Sequence, residues 1–423
     1  MKMNRMLRYN LLFLLAVIAF AGCKRNTVTS QGAFQYLYDW ESRNLHPEYI
    51  VYHHRDDSST IFFRVFSSEL LVTRSKINTP FIIDVQVKAS VMDPAGVVRD
   101  TLSVSFREAS IDRPGWLLGS LVVPMSEGSW NLLVEFTDVS RNLTQPTFVS
   151  CDKKSTFSAQ NYLLTDNETR EPVFNGFMNA GSRARIYSAR NMANDSPTLS
   201  RINAEIKLPP PPFSTNAPEQ PGLSGAQLLM PSRQTDGSFM FDVESGLYFF
   251  THDSSKRMGL TIKTGSVYFP KVKDNSSLEW PIRFVMTKAE HEEIMKSNYS
   301  KALIDQFWIE CGGSKDHARE LIRIFYKRVE EANFYFSTYT EGWKTDRGMI
   351  HLLFGNPTQV VRSAEGEVWN YGEESQAAIL TFSFRKMESP FSSNLFILDR
   401  EPGYKPYWER MVQSWRSGKI YND

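Results

Sequence analysis

Seven histidines, three cysteines and 47 acidic side chains are the groups with which this 423-residue chain could do chemistry. Metal chemistry needs such groups to converge. His53 and His54 are adjacent near a turn, and neighbours on a strand point to opposite faces, so the pair is a poor chelate. His291-Glu292-Glu293 lacks the second histidine, four residues on, of a helical zinc-protease motif. His46, His252, His317 and His351 stand alone. There is no Gly-x-Ser-x-Gly elbow, phosphate loop or dinucleotide fingerprint, and no carboxylate pair is marked out by spacing as an acid–base dyad. The expectation is a non-enzyme without metal, cofactor or catalytic residues. Near-balance of 48 basic and 47 acidic residues argues against nucleic acid, whose binders carry a basic face.

Cys23 is different from Cys151 and Cys311. It follows a basic stretch (Lys2, Arg5, Arg8), a ten-residue apolar run Leu11–Phe20, and the small residues Ala21-Gly22. Ten residues at 1.5 Å each span about half of a ~30 Å hydrocarbon core, so the run is a signal segment and not a membrane span. This arrangement is similar to a bacterial lipoprotein lipobox. The resemblance implies cleavage after residue 22 and acylation of Cys23, and two or more acyl chains anchor a protein stably. Loss of residues 1–22 leaves 45 basic against 47 acidic residues. After Cys23 come Lys24, Arg25 and Asn26, with neither an acidic export cluster nor an Asp retention signal. The expected address is the outer membrane, facing the periplasm. That compartment permits a disulfide, but Cys151 and Cys311 fall at a strand end and a helix end of different domains and read as separate thiols.

The rest of the chain must position whatever the protein presents. Its length suggests two to four domains, and 13% aromatic content excludes wholesale disorder. Residues 23–35 read as the lipidated cysteine and a tether. Over 36–152 the period is two: Phe81, Ile83, Val85, Val87, Ala89 and Val91 alternate with Ile82, Asp84, Gln86, Lys88 and Ser90, Leu102-Val104-Phe106 with Ser103 and Ser105, and Trp130-Leu132-Val134-Phe136 has Asn131 and Glu135 between its members. Asp93-Pro94-Ala95-Gly96 supplies a hairpin turn. This predicts an immunoglobulin-like β-sandwich. Residues 153–286 predict a second one, with strands at 183–189, 202–208, 239–243, 247–252, 258–264 and 280–286 and a Pro-rich loop at 208–231. At Thr287 the period becomes 3.6. Thr287-x-x-Glu290 is a capping box opening a helix to about Glu310. After Gly312-Gly313, a second helix carries Leu321, Phe325, Val329, Ala332 and Phe336 on one stripe.

Residues 287–423 then carry Gly342-Trp343-Lys344-Thr345-Asp346-Arg347-Gly348, an apolar stretch, Gly355-x-Pro357 and Trp369-Asn370-Tyr371. In these words the chain resembles the GWxTD-domain family of Bacteroidota lipoproteins and exported proteins. The resemblance implies an α+β module preceded by β-sandwiches, with no catalytic residues to carry across. The expected architecture is therefore mainly β plus α+β: tandem sandwiches, then two helices on a small antiparallel sheet with strands near 367–371, 378–384 and 394–399. The order of words is also similar to small outer-membrane-assembly lipoproteins of the BAM E-subunit class, a fold-level likeness. Met349–Phe354 fits strand or helix.

Physically, Gly342 and Gly348 permit backbone angles closed to other residues. Thr345 and Asp346 can bond backbone N–H groups in a turn, Arg347 can pair with Asp346 or another carboxylate, and Trp343 can plug a helix–sheet junction. Tyr404, Trp408, Met411 and Trp415 share one helical face that either packs on the module or docks a partner. The leading expectation is a scaffold or accessory lipoprotein presenting the module, beyond sandwich spacers, to envelope machinery for assembly, secretion or motility. A glycan- or peptidoglycan-binding lipoprotein using aromatic platforms is the alternative, and an enzyme comes third.

Overall fold

The computed structural model describes residues 32–420 except 36, 75, 77–79, 110–114, 190–195, 204–206, 267, 274–277, 279, 298–299 and 373–379. Cys23 and the signal segment lie outside the described residues. The fold is mainly β, with several sheets and a few helices gathered toward the C-terminus.

The described chain opens with β1 (Gly32–Gln35), whose partner lies near the other end of the sequence. The first β unit comprises β2 (Glu48–Tyr52), β3 (Ser58–Phe66), β4 (Ile82–Met92), β5 (Val98–Ala109), β6 (Trp116–Pro124), β7 (Ser129–Asp138) and β8 (Leu143–Asp152). They form antiparallel sheets in the orders β2-β3-β6 and β5-β4-β7-β8. Alternation buries Ile61, Phe63 and Val65 from one sheet, and Ile83 through Val91 with Leu132, Val134 and Phe136 from the other, in one shared core. Phe81, expected inward, precedes β4 and is exposed. The turn at Asp93 closes as expected: its carboxylate accepts from the Ala95 and Val97 amides, and Gly96 takes φ +83°.

The second unit is built from β9 (Tyr162–Asp166), β10 (Phe177–Met178), β11 (Arg183–Ser188), β12 (Thr198–Ile202), β13 (Gln227–Leu229), β14 (Ser232–Arg233), β15 (Phe239–Asp242), β16 (Leu247–Thr251) and β17 (Leu260–Thr264). Its sheets, β14-β15-β11-β9 and β10-β17-β16-β12-β13, also share a core. Two strand expectations fail here. The strand placed at 202–208 lies earlier, at Thr198–Ile202. The segment 280–286 holds a 3-10 turn, Pro281–Phe284, because Pro281 lacks the N–H a ladder needs and suits a first helical position.

Among the described residues the third unit has five helices, where two and a C-terminal aromatic helix were expected: α1 (Lys288–Lys296), α2 (Lys301–Gly312), α3 (Lys315–Phe336), α4 (Asp346–Phe354) and α5 (Lys405–Arg416). The capping box at Thr287–Glu290 is present, but the helix it opens ends at Lys296 and a new one begins at Lys301. Gly313 in the left-handed region ends α2, and the Ser314 hydroxyl accepts from the His317 amide to start α3. The stripe Leu321, Phe325, Val329, Ala332 and Phe336 is fully buried. Met349–Phe354 is helix.

The helices pack on an antiparallel sheet, β1-β18-β19-β20-β21, with β18 (Gln359–Arg362), β19 (Gly366–Tyr371), β20 (Leu380–Lys386) and β21 (Phe396–Leu398). β1 pairs with β18 from Gly32↔Arg362 to Gln35↔Gln359. Immediately after β1, Tyr38 enters the core of the third unit beside Phe336 and Trp369. Residues expected to end a tether thus form a sheet edge. The third unit is assembled from two chain segments, and both β units are inserted between them. Ile282, Val285 and Met286 belong to its core too, upstream of the expected start at residue 287.

Candidate functional site

Three stretches of backbone meet at the Gly342–Gly348 motif. Gly342–Lys344 is a 3-10 turn lying on α3, and α4 starts two residues later. A Cβ on Gly342 would fall 1.8 Å from the Ala332 carbonyl oxygen of α3, and one on Gly348 1.9 Å from the Gly342 oxygen. Neither glycine has a positive φ. The expectation that both adopt backbone angles closed to other residues is corrected: they are glycine because stacked backbones leave no room for a side chain. Thr345 caps α4, donating to the Gly342 carbonyl at 2.7 Å and accepting from the Gly348 amide at 3.1 Å. Trp343 is buried in the main core, its ring edge-on to Phe284 at 6.2 Å.

The charged members of the motif do not pair with one another. Asp346, in the first turn of α4, accepts from the Leu398 amide at 2.8 Å and from both terminal nitrogens of Arg400 at 2.9 and 2.5 Å. Arg400 in turn donates to the Pro210 carbonyl of the Pro-rich loop at 3.0 Å. Arg347 points the other way. It donates to Glu367 on β19 at 3.3 Å and to the Asn394 backbone and side-chain oxygens at 2.9 and 2.5 Å, and lies 3.9 Å over the Phe396 ring.

Glu367 is the hub of the network. Its carboxylate is fully buried and accepts from the Tyr38 hydroxyl at 2.8 Å, Arg362 at 2.9 Å and the Trp369 indole at 3.0 Å. Burial alone would raise the Glu367 pKa, but the Arg347 and Arg362 charges and these hydrogen bonds outweigh it and hold it below the usual range. Burial pushes the Tyr38 phenol up to about 12, so it stays a donor.

The remaining motif residues serve the same junction. Gly355 ends α4 with φ +79°, and its carbonyl accepts from the Tyr371 hydroxyl at 3.0 Å. Pro357 is buried just before β18. The docking reading of the C-terminal aromatic face is corrected. Tyr404, Trp408 and Trp415 are buried, Met411 is half-buried, and the Trp415 indole donates to the Leu353 carbonyl of α4 at 3.1 Å. This face is core. Cys151 and Cys311 are buried free thiols.

Sequence reasoning missed Tyr38, Arg362, Glu367 and Arg400, which complete the network. Arg362 and Glu367 lay inside the recognised run of words, but Tyr38 sits more than 300 positions away and nothing local marks it. A second feature was also missed: a cavity of about 190 Å³ where the first unit meets α3, ringed by Trp40, Phe66, Trp116 and Phe334. Its carboxylates are already engaged. Glu48 is held by Arg64 and Asn175, Glu69 accepts from the His46 amide, and Glu330 accepts from the Val272 amide. Burial pushes the Glu48 and Glu330 pKa values up. Trp40 stacks on His46 at 3.4 Å, and Arg64 lies 4.1 Å over Trp116. Among the described residues no three His, Cys, Asp or Glu side chains gather as metal ligands, and no helix is long and apolar enough to cross a membrane.

These observations define a class first: a multi-unit, mainly β protein closed by an α+β module whose motif is buried in an ionic junction. Residues 246–417 match the family model of the GWxTD domain. No curated protein matches the chain. Among solved structures, a crystal structure from Bacteroides fragilis described as a candidate beta-galactosidase is 12% identical over 27% of this chain and 19% of that chain, with a TM-score of 0.16. The chain thus spans about a fifth of that protein's length, and a likeness of this size carries no statement about activity.

Proposed function

We propose that the protein is a non-enzymatic lipoprotein of the Bacteroidota outer membrane, anchored through Cys23 and facing the periplasm. It works as a scaffold or accessory factor for envelope machinery, with its two β units as immunoglobulin-like sandwiches. One observation carries this reading: the ionisable side chains of the motif are buried and spent on internal partners, Asp346 on Arg400 and Leu398, Arg347 on Glu367 and Asn394. Groups so engaged maintain an arrangement of segments; they are not poised to attack or bind a substrate. Affinity purification of the anchored protein from detergent-solubilised cells is expected to recover a partner at fixed stoichiometry. Recovery of the protein alone would count heavily against the scaffold role, and its removal from intact cells by external protease would refute the periplasmic orientation.

The aromatic cavity beside α3 favours a second reading, glycan or peptidoglycan binding, because Trp40, Phe66, Trp116 and Phe334 line a space about the size of one sugar ring. Saturable binding of muropeptides, lost in Trp40→Ala, would support it.

A further inference from the structure

The order of the chain and the order of the fold are different, and the difference fixes which unit lies nearest the anchor. Before entering the first β unit at Glu48, the chain is fastened to the third unit at several points. β1 is zipped to β18, and the Tyr38 hydroxyl reaches Glu367. The Asp39 carboxylate accepts from Asn356 at 3.3 Å, the Trp40 ring meets Phe334 edge-on at 4.9 Å, and Glu41 pairs with Lys327. A segment held by strand pairing, a buried hydrogen bond and an aromatic contact cannot swing away without opening the core.

We propose that the third unit is the membrane-apposed part of the protein. The end of its sheet formed by the β18–β19 turn and the neighbouring Arg385–Lys386 faces the lipid headgroups, while the two β units stand further out. This rests on the reading of Cys23 as lipidated and deepens it. Nine residue steps separate Cys23 from Gly32, and at no more than ~3.5 Å per residue the connection reaches at most about 30 Å. The direction of entry follows from the register. Gly32 pairs with Arg362, the last residue of β18, so the chain enters β1 beside the Ser363–Glu365 turn, and Gly366 across that turn pairs with Arg385. Arg362, Ala364, Glu365, Arg385 and Lys386 are exposed there.

The first β unit is reached only after the chain has crossed the third. Phe66, at one end of β3, lines the cavity beside α3, and the β4–β5 turn at Asp93–Gly96 lies at the other end of the eleven-residue β4. At ~3.3 Å per residue β4 itself is about 35 Å long. The arrangement therefore inverts the expected one, in which β spacers would carry the module away from the membrane.

The test uses the full-length acylated protein, added from outside to preformed vesicles of phosphatidylethanolamine and phosphatidylglycerol with an energy-acceptor dye on a fraction of the headgroups. Ala364→Cys and Ala95→Cys place a donor dye at exposed positions on the β18–β19 and β4–β5 turns, while Cys151 and Cys311 stay buried. Transfer from position 364 is expected to be at least about threefold more efficient than from position 95. Equal transfer, or greater transfer from position 95, overturns the placement. Mass spectrometry of the N-terminal peptide separates the two layers. An acylated Cys23 with greater transfer from position 95 removes only the placement, whereas an unmodified Cys23 removes the anchor reading and the placement with it.

Discussion

Asp346→Asn tests directly whether the motif is a buried clamp. The carboxylate is fully buried and Arg400 is 5% exposed. The amide keeps one oxygen for the Leu398 N–H but loses the charge and turns an NH2 toward the guanidinium. Arg400 is then left as a buried cation with only the Pro210 and Leu398 carbonyls for company. Removing one partner of a buried pair costs about 3–5 kcal/mol, mostly the desolvation of the charge left behind. Against a total stability of roughly 5–15 kcal/mol for a domain, that is a large fraction. Tryptophan fluorescence during urea unfolding reads the right region, because Trp280, Trp308, Trp343, Trp369, Trp408 and Trp415 all lie in or against the third core. In the double variant Asp346→Asn with Arg400→Met the orphaned cation is gone, and at least about 2 kcal/mol should return. A single variant costing less than ~1 kcal/mol, or a double variant no more stable than the single, would refute the buried-clamp account.

Gly342→Ala should destabilise the third unit by about 3 kcal/mol through overpacking against the Ala332 carbonyl, whereas Gly403→Ala, whose new Cβ meets nothing closer than 3.7 Å, should be nearly neutral in the same unfolding experiment. Glu290 is held down to about 2, first by its bond to Arg416 across α1 and α5. A depressed carboxyl contributes stability that is complete above its unfolded value of about 4.5 and is lost as pH falls toward 2; Glu290→Gln should flatten thermal stability across that window. Lys263 is shifted the same way for a different reason, desolvation of a charge and not pairing of one: its half-buried ammonium donates to the Thr338 carbonyl, and burial pushes its pKa down to about 7. The folded state then binds fewer protons than the unfolded between about pH 7 and 10.5, so stability should rise with pH there. Lys263→Met should remove that rise and be the more stable protein at pH 7.

What could be read from the sequence was what local periodicity encodes. The alternation at Ile83–Val91 and Trp130–Phe136 led to the correct sheets, because one face of each strand is dry and the other wet. Thr287-x-x-Glu290 marked a real cap, and the Leu321–Phe336 stripe is buried in full. The motif was legible as an unusual string, but the reason for each residue was not. Gly342 and Gly348 answer to the Ala332 and Gly342 carbonyls, a clearance that appears only once α3 and α4 are stacked. Arg347 sits beside Asp346 in sequence yet bonds Glu367, because successive residues of a helix point about 100° apart. The aromatic stripe at 404–415 had the same pattern whether it covered a core or awaited a partner. Gly-Ala-Phe-Gln at 32–35 has no period long enough to mark a strand; its identity comes from β18.

That non-local pairing bears on what the motif is for. Arg347, with Glu367 and Tyr38, joins α4 to β19 and to the N-terminal segment; Asp346, with Arg400, joins α4 to β21 and to the Pro-rich loop of the second unit. Burying two acid–arginine systems is an inefficient route to stability, since apolar side chains of similar volume would serve as well or better. Buried ion pairs are selective about geometry, however, because each tolerates few alternative arrangements of its donors. A unit assembled from chain ends that enclose two inserted domains needs such selectivity more than it needs stability. Apolar packing would allow β1 or β21 to settle in neighbouring registers, while the network accepts only the one that brings Tyr38 onto Glu367 and Leu398 onto Asp346. In this protein the motif fixes how the N-terminal segment, and the anchor proposed beyond it, is oriented against the rest of the fold.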